Sequence, residues 1–216
     1  DYVNGLTELN LASWQDGFFA YIPDNVHVKR PIQIVYIVNS NENILIQPRN
    51  VISIGDNASV SIVHCDDSLE TKETLINTVT EIYVGKAAQC DYFKLENKDN
   101  QTTLINHFLI HQEGNSIVNT NTTVFNGGLV HNTIAVNLAE SKAEINSNGL
   151  YLVDKKQDIS NVLYIKHSAA ECTSNQLYKG IIDDNAKAHF IGHVYVEKDA
   201  EKTEARQTNR NILLID

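Results

Sequence analysis

Apolar residues in this chain recur mainly at every second position, the spacing that puts side chains on one face of a strand. In Ala186 to Val196, Ala186, Ala188, Phe190, Val194 and Val196 share one face, while Lys187, His189, Ile191, His193 and Tyr195 share the other. The first face predicts a core and the mixed one an outward surface. Val, Ile, Thr, Tyr and Phe also dominate Thr78 to Val84 and Leu150 to Val153, which predicts further strands. Asp16 to Val38 alternates strand-like runs with turns marked by Pro23 and Pro31, which cannot donate to a ladder and so belong at strand starts or edges. Residues 1–40 are therefore expected to be lead-in strands. Helix signals are scarce, and only Asp66 to Ile76 predicts a short helix, behind Asp67 or Ser68 as N-cap.

The pattern repeats along the chain. Turns of small residues followed by alternating apolar positions begin at Asn57, Ala87, Asn115, Lys142, Ala169, Asn185 and Asp199, and the second residues of these turns step by 30, 28, 27, 27, 16 and 14. A second series, at Leu75-Ile76-Asn77, Leu104-Ile105-Asn106, Val130-His131-Asn132 and Ser160-Asn161-Val162, keeps about the same interval. A unit of roughly 28 residues, often halved into two strands, is what stacked coils of a β-solenoid give, since each coil buries its inward face only against the next. The fold class is all-β, a β-solenoid, with a β-sandwich as the alternative because no strict short motif recurs. The many asparagines, Asn106, Asn119, Asn132, Asn146 and Asn161 among them, suit solenoid corners and hydrogen-bonded ladders. Composition bias accounts equally well for their number.

At 216 residues the chain suits a single domain, residues 1–216. A formal net charge of −10 and no basic stretch with interleaved aromatics argue against a nucleic-acid partner. No apolar run approaches the roughly 20 residues of a membrane helix, so no membrane partner is expected. Three cysteines, Cys65, Cys90 and Cys172, are too few and too widely spaced for a disulfide framework and fit the reducing cytoplasm. The first residues resemble no export signal, and without an initiator Met the chain reads as a fragment or processed form.

Candidate chemistry is sparse. No phosphate loop, GxGxxG, CxxC or GxSxG motif is present, so the chain is expected not to be an enzyme and to use no nucleotide of its own. His107 and His111, like His189 and His193, are spaced i, i+4, which on a helix could share a metal. On a strand that spacing separates them by about 13 Å, too far for one ion. No metal site is therefore expected, and His189 and His193 become candidates for a partner interface. His167 and Cys172 pair the residue types that handle soft metals and persulfides, and they are the candidates for cluster or sulfur handling. A lone Cys in a β-rich chain is, against that, commonly a small buried apolar residue.

The run Gln176 to Leu214 carries YKG, DDNAKAHFIGHVYV and DAEKTEARQTNRNILL. With His167, Cys172 and Ser174 before it, this segment resembles the SufB/SufD family of iron–sulfur cluster assembly scaffolds, most closely SufD. The Asp16 to Val38 segment is similar to that family's lead-in. The resemblance implies a right-handed parallel β-helix and a scaffold that pairs with a SufB-like subunit and an ABC-type, SufC-like ATPase subunit. It implies that no cofactor binds this fragment alone, and that an iron–sulfur cluster is associated with the assembled complex. Members continue past NRNILL into a segment with a functional His or Cys and then a helical ATPase-binding region, neither of which lies in residues 1–216. A homodimer of the isolated chain is a further expectation, and a polysaccharide-active or adhesive β-helix is the alternative reading.

Overall fold

The structure is a computed structural model describing residues 4–214, apart from the side chains of residues 70 and 71. In chain order the elements are α1 (Gly5–Ser13), β1 (Phe19–Ile22), β2 (Ile32–Ser40), β3 (Ile44–Ile46), β4 (Arg49–Ile54), β5 (Ser59–Thr71), β6 (Thr74–Val84) and β7 (Gln89–Asn97). They continue with β8 (Thr102–Gln112), β9 (Ile117–Asn126), β10 (Leu129–Leu138), β11 (Glu144–Val153), β12 (Asp158–His167), β13 (Thr173–Ile182), β14 (Lys187–Val196) and β15 (Glu204–Leu213). From β4 onward successive strands alternate between two sheets, and every pairing is parallel. One sheet runs β1-β4-β6-β8-β10-β12-β14 with β3 beside β6, and the other β15-β13-β11-β9-β7-β5-β2. A parallel ladder with each strand paired two places along is a β-solenoid, here of about seven turns, and rules out the β-sandwich.

The lumen is filled by rows of side chains that the register stacks from coil to coil. Ile52, Ile82, Ile110, Val136 and Ile165 form one such row on the first sheet, all buried. Burying an aliphatic side chain of this size is worth about 1.5–3 kcal/mol, so each coil stabilises its neighbours and gains little alone. The corners reuse one device. Asn57, Ala87, Asn115, Lys142, Glu171 and Lys202 all have positive φ, at intervals of 30, 28, 27, 29 and 31 residues. The irregular last steps read from the sequence have a simple cause. The turn at Asn185, with its positive-φ Asp184, lies at the opposite corner with Lys155, where the second sheet returns to the first.

Three expectations need correction. Asp66 to Ile76 is not helical; it forms the end of β5 and the start of β6, because Asp66 takes a lumenal place in register with Glu96. The lead-in is not all strand either, since α1 occupies Gly5–Ser13. Its N-cap Asn4 accepts from the backbone N–H groups of Leu6 and Thr7, and the Thr7 hydroxyl accepts from the Asn4 N–H, completing a capping box. The helix gave no amphipathic signal because its buried residues are Thr7 and Asn10, while Leu6, Leu9 and Leu11 stay exposed. Asn10 donates to the carbonyls of Pro48 and Asn77, seating α1 on the outside of β6. Lastly, most of the asparagines lie inside strands rather than at corners, although they do form ladders.

Candidate functional site

The lumen near β5 and β7 departs from the aliphatic rule. On β7 the inward row runs Cys90, Tyr92, Lys94, Glu96, and Lys98 just past the strand end is buried too. On β5 it includes His64 and Asp66, in register with Lys94 and Glu96 respectively. Lys94 forms an ion pair with Asp66, and the two side chains are only 1% and 7% exposed. His64 Nδ1 meets the Tyr92 hydroxyl at 2.6 Å, while its Nε2 lies 3.5 Å from Asp66. Phe108 lies under the Lys94 ammonium at 6.0 Å and packs edge-on against Tyr92, so aromatic rings wall the pair from water.

Protonation follows from this packing. Burial and the Lys94 charge pull His64 down to about 4, against the opposing pull of Asp66, so the imidazole is neutral. For Asp66 burial acts to raise the pKa, yet the Lys94 charge and the His64 contact overcome it and hold the carboxyl below the usual carboxylate range. Glu96 is pushed up to about 7 by burial, against Lys94 and a hydrogen bond from Asn132. Its oxygens accept from Asn106 Nδ2 at 2.6 Å and Asn132 Nδ2 at 3.0 Å, both on the opposite sheet. Asn106 also donates to Asn132 Oδ1 at 2.9 Å, and Asn132 stands in register with Asn161. This cluster escaped the sequence reading because charged residues in alternation read as a solvated face. The signal was that Lys94 and Glu96 continue the phase of Cys90 and Tyr92.

The residues singled out in the sequence fall elsewhere. Cys172 follows the positive-φ Glu171, just as Ala58, Ala88, Ser116 and Ala143 follow theirs, and all five are buried. It fills the place of a small corner residue. Its Sγ donates to the Glu140 carbonyl at 3.3 Å, and burial raises the thiol above its ordinary value. His167 lies in a lumenal row between Leu138 and Val196, with Nε2 at 2.9 Å from the Ser174 hydroxyl. Among the described residues no hydrogen bond or ion pair joins it to Cys172. Cys90 is likewise lumenal, and burial pushes it up to about 12. Among the described residues no group of three or more His, Cys, Asp and Glu side chains is placed to hold a metal ion.

His189 and His193 stand on the outer face of β14, as the alternation predicts. His189 is 3.9 Å from Asp158, and His193 stacks on Tyr164 with centroids 4.9 Å apart and planes 7° apart. His193, Tyr164, His111 and Tyr83 line a groove of about 710 Å³ on the outer face of the first sheet, with α1 contributing Glu8 and Leu11. Of its lining residues, Arg49 pairs with Glu81, and Lys166 pairs with Glu197. In the last coil Ile191, Tyr195, Val196, Ile212 and Leu213 are exposed, and among the described residues β14 pairs only with β12 and β15 only with β13.

The YKG and NRN signatures acquire a physical reading here. Tyr178 lies across Gly149 and Tyr151 across Gly180, on neighbouring strands in register, so each Gly makes room for the other strand's ring. The Tyr151 hydroxyl donates to Asn211 Oδ1 at 2.6 Å and reaches Asn209 Oδ1 at 3.4 Å, tying β11 to β15 across two coils.

Comparison with known proteins settles what these coils belong to. Residues 36–216 match the family described as the SUF system FeS cluster assembly, SufBD core domain, and residues 2–34 match the SufBD protein N-terminal region. The chain belongs to the SufBD family. It is 27% identical over 219 residues to an iron–sulfur cluster assembly SufBD family protein of Synechocystis, covering 96% of this chain and 48% of that one. It is 26% identical over 220 residues to the iron–sulfur cluster assembly protein SufD of Bacillus subtilis, covering 97% and 48%. A SufBD family protein of Staphylococcus haemolyticus is 26% identical over 200 residues, covering 86% and 42%. The chain thus spans about half the length of these relatives. The boundary between the two SufBD matches falls within β2, so the N-terminal match includes α1 and β1 and the core match holds nearly all of the solenoid. Among the described residues no helix is long and apolar enough to cross a membrane.

Proposed function

We propose that this chain is the β-solenoid part of a non-enzymatic scaffold subunit for iron–sulfur cluster assembly, working in the cytoplasm with a SufB-like subunit and an ABC-type, SufC-like ATPase subunit. The SufBD membership supports the process, and the last coil carries the pairing. Its two strands each have one ladder edge unpaired among the described residues, and apolar side chains are exposed beside those edges. Such edges template strand addition by a partner. His189 and His193, outward on β14, would belong to the partner surface. The iron–sulfur cluster is cargo of the assembled complex, with no resident cofactor assigned to this fragment. Cys172 and His167 remain candidates for sulfur handling, although both are buried and Cys172 is held as a thiol, so such a role requires the corner to open.

The polysaccharide reading expects an aromatic-lined groove, and the first sheet has one. Tyr164 and His193, however, lie face to face along the solenoid axis, which uses the ring faces that a sugar would stack on. Co-expression of the full-length protein with its SufB-like and ATPase partners tests the proposal. A stable complex is expected, with reduced cluster loading when the subunit is deleted. Purification of the protein alone, with loading unaffected by its deletion, would overturn it.

A further inference from the structure

Glu96 is fully buried, and its neighbouring cations are engaged elsewhere: Lys94 pairs with Asp66, and Lys98 Nζ donates to the Asp67 carbonyl. What holds it are two amides from across the lumen, Asn106 on β8 and Asn132 on β10. Of this trio Asn106 Oδ1 is buried and has no hydrogen-bond partner among the described residues. A buried carbonyl oxygen left without a donor costs about 1–3 kcal/mol, so its presence beside a carboxyl that can carry a proton calls for an explanation.

We propose that Glu96, Asn106 and Asn132 form a proton-operated latch in the lumen: the ionised carboxylate holds the Asn106 and Asn132 amides in one ladder, and protonation releases Asn106 from Asn132 between β8 and β10. When Glu96 takes one proton from solvent, its hydroxyl becomes a donor and needs an acceptor. Rotating the Asn106 amide by 180° brings Oδ1 to the place Nδ2 occupied, where it accepts from that hydroxyl. The same rotation withdraws Nδ2 from Asn132 Oδ1 and sets two carbonyl oxygens against each other there, so Asn132 Oδ1 is pushed away and the ladder is cut at that point. Asn132 Nδ2 still donates to the other Glu96 oxygen, so β10 stays attached while β8 changes its bonding. No other bond is made or broken.

The groups that set the balance come from every strand around the site. From β5 come His64 and Asp66, from β7 Tyr92 and Lys94 with Lys98 just beyond it, and from β13 Tyr178, while the buried His107 of β8 follows Asn106 directly and so lies on the opposite face of that strand. Burial sets Glu96 near neutrality, so the latch would work in the physiological range.

The test is an NMR titration of the chain labelled with 13C at Glu side chains and 15N at Asn side chains, with Glu96 assigned through its contacts to Asn106 and Asn132. Glu96 Cδ and the Asn106 side-chain amide are expected to shift together with one midpoint near pH 7, and Glu96→Gln should abolish the shift at Asn106. Glu96 titrating below pH 5, or Asn106 resonances unchanged across the Glu96 midpoint, would overturn the latch. Should the variant fail to fold, the wild-type titration decides alone.

Discussion

At the scale of single residues the unusual investment lies in the lumen. Asp66 and Lys94 are buried together, and removing one partner of such a pair strands the other charge in a medium that solvates it poorly. Asp66→Asn should therefore lower stability by about 3–5 kcal/mol in urea unfolding, whereas the apolar double replacement Asp66→Leu with Lys94→Met should recover most of that loss. The histidines give a pH dependence whose sign is fixed. His64 and His107 are both drawn down to about 4, chiefly by burial, so the unfolded chain binds protons first and stability falls as pH drops from about 6.5 towards 4. The depressed Asp66 extends that fall further into acid. Glu96 acts in the opposite sense, favouring the folded state below its ordinary value of 4.5 and losing that contribution as pH rises to about 7. Glu96→Gln should gain on the wild type as pH rises through that window, read from urea midpoints at half-unit intervals. Little of this was legible in advance. The alternation that places Lys94 and Glu96 beside Tyr92 was visible, but charge on a strand face ordinarily means solvent, and only the register shows Asp66 opposite.

At the scale of elements the pleated alternation was the readable part. It placed His189 and His193 outward, and it put the strand starts where Pro31 and the small-residue turns lie. It failed where a polar side chain took a lumenal place. Asp66 to Ile76 looked helical because acidic and hydroxyl residues cluster there, and α1 was missed because its buried face is Thr7 and Asn10. The glycine signatures have a consequence at this scale. A Cβ at Gly180 would come within 2.0 Å of the Tyr151 ring, and one at Gly149 within 2.2 Å of Tyr178. Both rings are buried and cannot swing away. Gly180→Ala should cost about 1–3 kcal/mol and loosen the Tyr151 tie to Asn211 on β15, seen as faster hydrogen exchange in the last two coils. An Ala substitution at the exposed outward position Lys179 beside it should change stability by less than about 0.5 kcal/mol.

For the molecule as a whole, the repeat near 28 residues carried the solenoid, and the family likeness at Gln176 to Leu214 carried the SufBD membership. What the sequence could not reveal is where the two sulfur-handling candidates just ahead of this stretch sit in the solenoid. His167 and Cys172 are close in sequence, but one is a lumenal row member and the other a corner filler. The stretch supplies a last coil whose ladder edges are unpaired among the described residues, and the proposed scaffold role rests on those edges. Along β15 the Glu204 N–H donates to the Cys172 carbonyl, so alternate residues, Ala205 among them, direct their N–H to the unpaired side. Ala205→Pro removes one of those donors without removing a bond to β13. The most direct measurement is size-exclusion chromatography with light scattering on the full-length protein, wild type and Ala205→Pro, mixed with its SufB-like partner. The account predicts a wild-type complex whose dissociation constant rises at least tenfold in the variant, with the thermal midpoint of the isolated subunit unchanged. Equal affinity for both proteins, or no complex with either, would contradict it.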